Sequence, residues 1–550
     1  MSELYYGDNL PIMRGMRSES VDLIYLDPPF NSNATYNVLF KAPGGEHSAA
    51  QIEAFEDTWH WNTTSAEAAF DDVMKSSHSD VAELLRVMRS FLSTNDMMAY
   101  ITHIAVRLLE MHRVLRPTGS IYLHCDPTAS HYIKVLMDAV FGKDRFLNEI
   151  VWKRTGAHGG AKRWAPVHDT ILFYSKSDEY TWTRPVQPYE AGYVESRYVR
   201  KDSIGSFQDV SVTGAGTRTG ASGAPWRGMN PTDKGRHWAI PDAAGGSIAG
   251  FADMSPQAKL DALDAMDALY WPKSRQGKIS LPRIKQRPGK GNPVQDCITD
   301  IAALNSQAQE RLHYPTQKPV ALMERIIAAS SREGDTILDP FCGCGTTIHA
   351  AQKLGRKWIG IDITHLAIGL IQRRLKDAFG PDIPYQVHGV PRDLEGAKAL
   401  AAQEKYDFQH WAVSLVDGVS YRSKKKGADG GIDGIFYFKA DPKTTERAII
   451  SVKGGGVGVK DIRELISVVD RERAKIGVYI CLENPTGPMV KEAAGAGFYV
   501  CPLGRRYPKI QICTIADLLG GQKPQTPIAD PSSFRRAAIE QNGAQGDLGL

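Results

Sequence analysis

The stretch Val21-Asp22-Leu23-Ile24-Tyr25-Leu26 has five apolar residues in six and is cut off by Asp27-Pro28-Pro29-Phe30. An unbroken apolar run of this length suits a strand of a parallel sheet, buried on both faces, better than a half-exposed one. The two prolines have fixed φ and no N–H, so the turn is stiff and its backbone offers carbonyls rather than donors. Asp27 adds carboxylate oxygens and Phe30 a flat apolar face. Such a corner suits an exocyclic amino group on a planar ring, with acceptors for its N–H bonds and a face to stack on. Taken alone, Pro-Pro after a strand also reads as a plain loop stop.

A second strand end lies more than 300 residues later, in Asp335-Thr-Ile-Leu-Asp339-Pro-Phe341-Cys-Gly343-Cys-Gly345-Thr-Thr347. Gly343 and Gly345 allow close backbone approach to a ligand above a strand tip, as in nucleotide-binding strand-to-helix turns. The spacing is not G-x-G-x-x-G and no Lys-Ser/Thr follows, so dinucleotide and phosphate-loop readings lose. The next strand, Lys357 to Asp362, ends in an acid 23 residues after Asp339. That is where a ribose hydroxyl pair is held in such folds. A nucleoside without a phosphate clamp points to S-adenosylmethionine.

Together, Asp27-Pro-Pro-Phe30 and Asp339-Pro-Phe-Cys-Gly-Cys-Gly345 resemble motifs IV and I of the amino-methylating (N4/N6) DNA methyltransferases. The catalytic motif precedes the cofactor motif, which is similar to the circularly permuted beta group, and the resemblance covers roughly residues 1–390. It implies an α/β fold: a Rossmann-like seven-stranded sheet, permuted, with an inserted target recognition domain. It further implies Asp27, Pro28, Pro29 and Phe30 as the catalytic set and Asp339, Phe341, Gly343, Gly345 and Asp362 around the cofactor. Asp8, closing a short strand over residues 3–8, takes the place of an acid that accepts from the cofactor's adenine amino group; a Gly-Asp turn or helix cap explains it as well. Pro315-Thr316-Gln-Lys318-Pro319 resembles motif X, which sets Thr316 and Lys318 against the methionine end of the cofactor, although helix capping alone also accounts for the string.

The 550 residues allow three or four domains. A net charge of +4 is too small to argue for nucleic acid, so its distribution matters more. Seven cysteines without a C-x-x-C pair fit a reducing cytoplasm rather than a disulfide or zinc framework. No run of 18 apolar residues occurs, so neither a signal peptide nor a membrane span is expected.

The polar, aromatic residues 31–65, with Tyr36, Trp59, His60 and Trp61, read as a loop over the site. Residues 79–116 have helical period and lead to a strand ending His124-Cys-Asp126. A metal or acid/base role and a structural polar pair are both open for His124 and Asp126. A helix over 129–141 and a strand over 169–175 complete this half. Residues 181–311 hold 17 Lys/Arg against 13 Asp/Glu, and 271–290 carry seven basic residues and no acid. With Trp226-Arg227 and Arg236-His237-Trp238, this insert suits duplex binding, cations meeting phosphates and Arg reading guanine edges. By the resemblance it is the target recognition domain.

After Val390 a connector leads to Asp429-Gly-Gly-Ile-Asp433, a hairpin around Asp441-Pro442, and Ser451-Val-Lys453. This part resembles the PD-(D/E)XK nuclease fold in its Mrr-like restriction branch, a second and smaller α/β domain. The resemblance implies a Mg²⁺ site, with Asp433 and an acid as ligands and Lys453 orienting the attacking water. Ser451 stands where the second acid belongs, and serine alone is a poor ligand for a hard cation. Glu464, eleven residues past Lys453, is the candidate replacement, making Asp433 and Glu464 the metal pair. The competing reading is a fold that has lost its chemistry and only grips DNA, which Arg422, Lys424, Lys425 and Lys426 would serve either way.

The expected boundaries are 1–179 for the catalytic half, 180–311 for the insert and 312–390 for the cofactor half. A linker at 391–406, the nuclease-like domain at 407–523 and a disordered tail at 524–550 follow. The expected partner is double-stranded DNA, with no membrane, a possible homodimer and a cytoplasmic location. Adenine N6 is expected over cytosine N4, because in the family Asp at the first motif IV position goes with adenine.

Overall fold

The structure is a computed structural model. It describes all residues except 30–34, 42–46, 57–60, 62–63, 157–161, 163, 190–191, 247, 274–276, 278, 290, 306–307, 309, 313–315, 421–430, 442–443 and 528–550, and only the backbone of 35–41, 47–56 and 64. Phe30, Tyr36, Trp59, His60, Asp429, the basic residues 422–426 and the tail from 528 on therefore fall outside the described side chains.

The main sheet is built from β1 (Ser2–Tyr6), β2 (Val21–Leu26), β3 (Leu115–Cys125), β4 (Phe146–Lys153), β5 (His168–Ser175), β6 (Cys297–Ile298), β7 (Thr336–Asp339), β8 (Lys357–Asp362) and β9 (Tyr385–His388). Its spatial order is β6-β4-β5-β3-β2-β7-β8-β1-β9. The expected sheet has seven strands and the observed one nine: six interior strands are those read from the sequence, β4 is an interior strand that the reading did not place, and the short strands β6 and β9 extend the edges. β5 runs antiparallel to both β3 and β4, while every other pairing in the sheet is parallel.

β2 shows why the apolar run reads as it does. Ile24 and Leu26 enter one core with Ile121, Leu123 and Leu338, while Leu23 and Tyr25 enter the core on the other face with Tyr122, Ile337 and Trp358. Helices cover both faces, so neither set of alternating side chains can be polar. α1 (Asn9–Gly15) and α2 (Asp96–Val114) supply Met13, Met98 and Ile101 to the first core, and α3 (Ser130–Phe141) adds Ile133 and Met137. α4 (Val320–Ser330), α5 (Thr346–Lys353) and α6 (His365–Phe379) line the second with Leu322, Ile348 and Ile371.

Arg184–Val294 forms a compact unit of its own. Its four-stranded sheet joins Leu269–Tyr270, Arg283–Gln286, Ser206–Ser211 and Arg200–Lys201 in that order. Several residues expected to meet DNA have roles inside this unit. Trp226 and Trp238 are core residues beside Leu260 and Leu263, and their indole N–H groups donate to Asp261 and the Ala224 carbonyl. Arg227 pairs with Asp261 and Asp264, Arg236 donates to Thr213, and His237 bonds the Gly216 carbonyl. The composition was basic, but much of that charge is neutralised inside the unit.

The C-terminal part begins with α7 (Leu394–Gln403) and α8 (Lys405–Ser414). Its sheet runs in order through β10 (Val419–Ser420), β11 (Gly434–Lys439), β12 (Thr445–Lys453), β13 (Ile476–Cys481) and β14 (Ile510–Thr514). β10, β11 and β12 are antiparallel, and β13 and β14 join in parallel. α9 (Val459–Arg471) covers one face through Ile462, Leu465 and Val469. Gln525, in the expected tail, exchanges two hydrogen bonds with Gln511. Among the described residues no helix is long and apolar enough to cross a membrane.

Candidate active site

The two strand tips separated by 300 residues are neighbours. β2 and β7 pair in parallel with Leu23 opposite Ile337 and Ile24 opposite Leu338. Continuing that register sets Tyr25 across from Asp339, and Asp27 two residues, roughly 7 Å, further along. Both carboxylates therefore stand at the carboxyl edge of the sheet, where open α/β folds bind ligands.

Asp27 is gripped on one side only. Lys318 Nζ lies 2.5 Å from Asp27 Oδ2. The other oxygen, Oδ1, is buried and accepts no hydrogen bond among the described residues. A buried carboxylate oxygen left without a donor costs free energy, and an incoming N–H group would recover it. Pro28 is buried and Pro29 half-buried behind it. Lys318 is delivered by a tight turn: Thr316 has φ +59, a left-handed conformation rare for a β-branched residue. The Gln317 side chain ties that turn to Leu312 N and the Glu310 carbonyl, and Glu310 Oε2 accepts from Val320 N at the start of α4. The pairing of Lys318 with Asp27 is not legible from the motif X resemblance, which directs Lys318 to the methionine end of the cofactor.

The glycine turn follows β7. Asp339 Oδ1 accepts from Phe341 N, and Gly343 N donates to Asp362 Oδ2 at 2.9 Å. Asp362 Oδ1 also accepts from Thr364 N and Oγ1, so three donors of the chain hold this carboxylate and leave room for about one more. Gly345, at φ +76, is the N-cap of α5. Burial, with Asp27 and Asp362 adding to it, pushes the Asp339 carboxyl up to about 7. Burial likewise pushes Asp362 up to about 6.

Asp8 caps α1 through Leu10 N and pairs with Arg107. Arg107 also donates to Asn9 Oδ1, and Asn9 Nδ2 donates to the Pro340 carbonyl at 2.7 Å. Asp8, Asn9 and Arg107 thus brace the glycine turn from the side of β1. Sequence inspection passed over Asn9 and Arg107, because neither lies in a recognisable motif.

The acids crowded at these tips suit a cationic cofactor. Burial opposes ionisation of Asp339 and Asp362, the carboxylates of Asp27 and Asp362 add to it at Asp339, and a nearby sulfonium would favour the ionised form of both. A cation needs the ionised carboxylates, so S-adenosylmethionine affinity is expected to fall as pH drops through about 7 and then about 6. The loss should approach ~10-fold per pH unit for each proton taken up. Calorimetric titration from pH 8 to 5.5, in buffers of different ionisation enthalpy, checks both the trend and the protons released. A flat affinity across that range would sink the expectation.

In the C-terminal part, Asp433 sits just before β11, with its N–H on the Ile450 carbonyl. Asp433 Oδ2 accepts from Val452 N and Oδ1 from Gln409 of α8. Ser451 and Lys453 lie two apart on β12, on one face of the sheet. Glu464 does not join them: it is exposed and pairs with Lys460 on α9. The acid beside Lys453 is Asp461, 3.6 Å away in the first turn of the same helix, and Tyr479 donates to it. Among the described residues no three His, Cys, Asp or Glu side chains gather as a metal set. The structure does not bring the implied Mg²⁺ pair together: Glu464 is exposed and paired with Lys460, while Asp433 holds Val452 N and Gln409 and keeps lone pairs to spare.

A permuted α/β sheet with a glycine turn, paired acids at neighbouring strand tips and a half-satisfied Asp-Pro-Pro carboxylate defines a nucleoside-cofactor transferase. The DNA methylase family profile matches residues 21–373, and a restriction endonuclease profile matches residues 400–499. The chain belongs to the DNA methylase family. It is an S-adenosylmethionine-dependent DNA methyltransferase of the N4/N6 kind, fused to an Mrr-like domain. It is 34% identical over 330 residues to the type II methyltransferase M.EcaI of Enterobacter cloacae, covering 58% of this chain and 68% of that one. It is 24% identical over 368 residues to the Mod subunit of the type III restriction-modification enzyme StyLTI of Salmonella typhimurium, covering 64% of this chain and 50% of the relative. It is also 39% identical over 102 residues to the DNA adenine methyltransferase YhdJ of Escherichia coli, covering 18% and 35%.

Proposed function

We propose that the protein transfers a methyl group from S-adenosylmethionine to the N6 amino group of a flipped-out adenine at a specific site in double-stranded DNA. The observation that carries the reading is the buried, unfilled Oδ1 of Asp27, on a strand tip adjoining the glycine turn. Extruding the base costs a few kcal/mol. A hydrogen bond from its amine to an ionised acceptor returns about 1.5–3 kcal/mol. Lys318 holds Oδ2, so that Oδ1 has one direction in which to accept. Bound at the glycine turn among Asp339, Phe341, Gly343, Gly345 and Asp362, with Asp8 and Thr316 at its margins, the cofactor supplies an electrophilic methyl on a good leaving group. Asp27 orients the amine lone pair for in-line attack and takes up the surplus proton at Oδ1. Positioning supplies most of the acceleration.

Asp at the head of motif IV and the likeness to an adenine methyltransferase both favour adenine over cytosine N4. Physics alone does not choose, since both bases present an amino donor pair. Modified-base sequencing of DNA from a host expressing the protein is expected to show N6-methyladenine in one sequence context. N4-methylcytosine there would reverse the assignment.

We read the C-terminal domain as a grip on the DNA rather than a hydrolytic centre, because Glu464, the acid expected to complete the metal pair with Asp433, is turned to Lys460 in solvent. Incubation of unmethylated DNA with the protein and Mg²⁺ should leave it intact. Cutting that needs Mg²⁺ and disappears in Asp433→Ala would instead establish a fused restriction activity.

A further inference from the structure

Trp164 is 98% exposed, with its indole held in water. Its ring meets no aromatic, cationic or hydrogen-bonding partner among the described residues. The other described tryptophans are packed: even Trp182, at 48%, stacks on Phe173. A single exposed aliphatic side chain is ordinary on a protein surface. Tryptophan is different, because its large apolar area is as a rule well covered. What gives the exposure meaning is where this indole stands.

Trp164 lies on the connection between β4 and β5. β4 is antiparallel to β5 and β5 to β3, which is parallel to β2. Lys153, at the end of β4, is therefore on the same edge of the sheet as Asp27. Arg154 N and Thr155 N both donate to the Val167 carbonyl and close the neck of the connection. From that neck a line of polar contacts runs back to β2. Arg154 Nε lies 3.4 Å from Asp169 Oδ1, Asp169 Oδ2 lies 3.1 Å from His124 Nε2, and His124 Nδ1 lies 2.8 Å from Tyr25 Oη, two residues before Asp27. Trp164 is three residues from Val167, so its Cα is within about 10 Å of the neck. Pro166 keeps Ala165 extended along that span. β5 stands two strand spacings, roughly 10 Å, from β2. Both spans match the width of a duplex groove, about 6–12 Å, so DNA that delivers a base to Asp27 lies within reach of the indole. Charge agrees with this: from Lys153 to His168 the sequence has Lys153, Arg154, Lys162 and Arg163 and no acid, and Lys153 and Lys162 are exposed.

We propose that Trp164 enters the duplex at the target site and stacks in the place vacated by the extruded adenine. This rests on the reading that the base is flipped out to Asp27. Extrusion leaves a gap in the stack and an orphaned partner base. An indole has the area and the π-face to fill that gap, and in doing so it buries apolar surface that the free protein leaves in water. Lys153 and Lys162 meet the flanking phosphates. The two devices act on different sides of the same equilibrium: Asp27 holds the base once it is out, and Trp164 stabilises the duplex left behind.

Trp164→Ala removes an indole that packs against nothing, so the fold and the cofactor Kd should be unchanged. The DNA probe carries the site found by modified-base sequencing, with 2-aminopurine, whose emission rises on unstacking, in place of the methylated adenine. The full-length protein should raise that emission, and Trp164→Ala should lose most of the rise. On the ordinary duplex, single-turnover methylation should slow about tenfold or more in Trp164→Ala, while Trp164→Phe, which keeps a stacking face, should stay within about threefold. A target adenine opposite a mismatched base costs less to extrude, so on that duplex Trp164→Ala should come within about threefold of the unaltered protein. An unaltered rate on the paired duplex would overturn the proposal. So would an equal loss on paired and mismatched DNA, which marks a plain DNA contact, or a changed sedimentation coefficient with unaltered emission, which marks a protein interface. The underlying reading is tested separately. If the unaltered protein raises no emission, base extrusion itself falls; if Trp164→Ala keeps the whole rise, only the wedge falls.

Discussion

Asp27→Ala should abolish methyl transfer, lowering kcat by about 10³ or more, while cofactor Kd changes only a few fold. Loss of one preoriented polar contact that acts in the transition state typically costs 10²–10³. The variant also removes the carboxylate that holds the Lys318 ammonium at 2.5 Å and leaves that cation beside the space the amine should occupy. Asp27→Asn should fare little better: its amide keeps one acceptor atom and turns a donor towards the Lys318 cation or the base amine. Stability should fall by about 3–5 kcal/mol if the lysine stays buried and charged. Lys318→Met in the same chain should restore part of the melting temperature and none of the activity. Stopped assays with labelled cofactor and thermal melts read the two effects apart. Activity within tenfold of wild type in Asp27→Ala would refute the assignment of this strand tip as the catalytic one.

Gly345→Ala should remove cofactor binding through the backbone. Gly345 has φ +76, and a Cβ built there would lie 2.7 Å from Ile371 Cγ1 in the core beneath the turn. A left-handed conformation costs an L-residue about 1–2 kcal/mol. Overpacking a filled core adds about 1–3 kcal/mol. The relaxed chain can meet that cost only by opening the turn, which displaces Gly343 N from Asp362 and shifts the N-terminus of α5. Cofactor Kd should rise at least ~30-fold, equivalent to about 2 kcal/mol of the strain being expressed at the site. Gly456→Ala is the matched control, since its added Cβ meets nothing within 4 Å. Equilibrium dialysis with labelled cofactor decides it, and unchanged binding in Gly345→Ala would show that the turn tolerates the strain.

Much of the fold was legible because it is written in local pattern. The apolar run before Asp27 and the one before Asp339 read as doubly buried strands, and each enters cores on both faces of the sheet. The helix around residues 129–141 and the strand at 169–175 lie within a residue of the expected bounds. Residues that act through distant partners were not legible. Composition pointed Trp226, Arg227, Arg236 and Trp238 at DNA; in the folded insert the two tryptophans are core, Arg227 pairs with Asp261 and Asp264, and Arg236 donates to Thr213. Spacing along a helix suggested Glu464 as a metal ligand, whereas the phase of α9 turns it to Lys460 and presents Asp461 to Lys453. Asp461 and Glu464 are three residues apart, about 60° of rotation and ~4.5 Å of rise, a difference that only the placement of α9 against β12 settles.

The amino-acid sequence by itself determined which segments become strands, which tips carry acids and glycines, and which family chemistry those tips resemble. Those outcomes depend on contacts between near neighbours and on apolar periodicity. Only the tertiary structure decided that Lys318 clasps Asp27, that Asn9 and Arg107 brace the glycine turn, and that Tyr25, His124 and Asp169 form a chain. Hydrogen bonds and ion pairs act over about 3 Å, and these partners are separated by 45 to 331 residues of chain. Their meeting depends on how every intervening element packs, which no local pattern encodes.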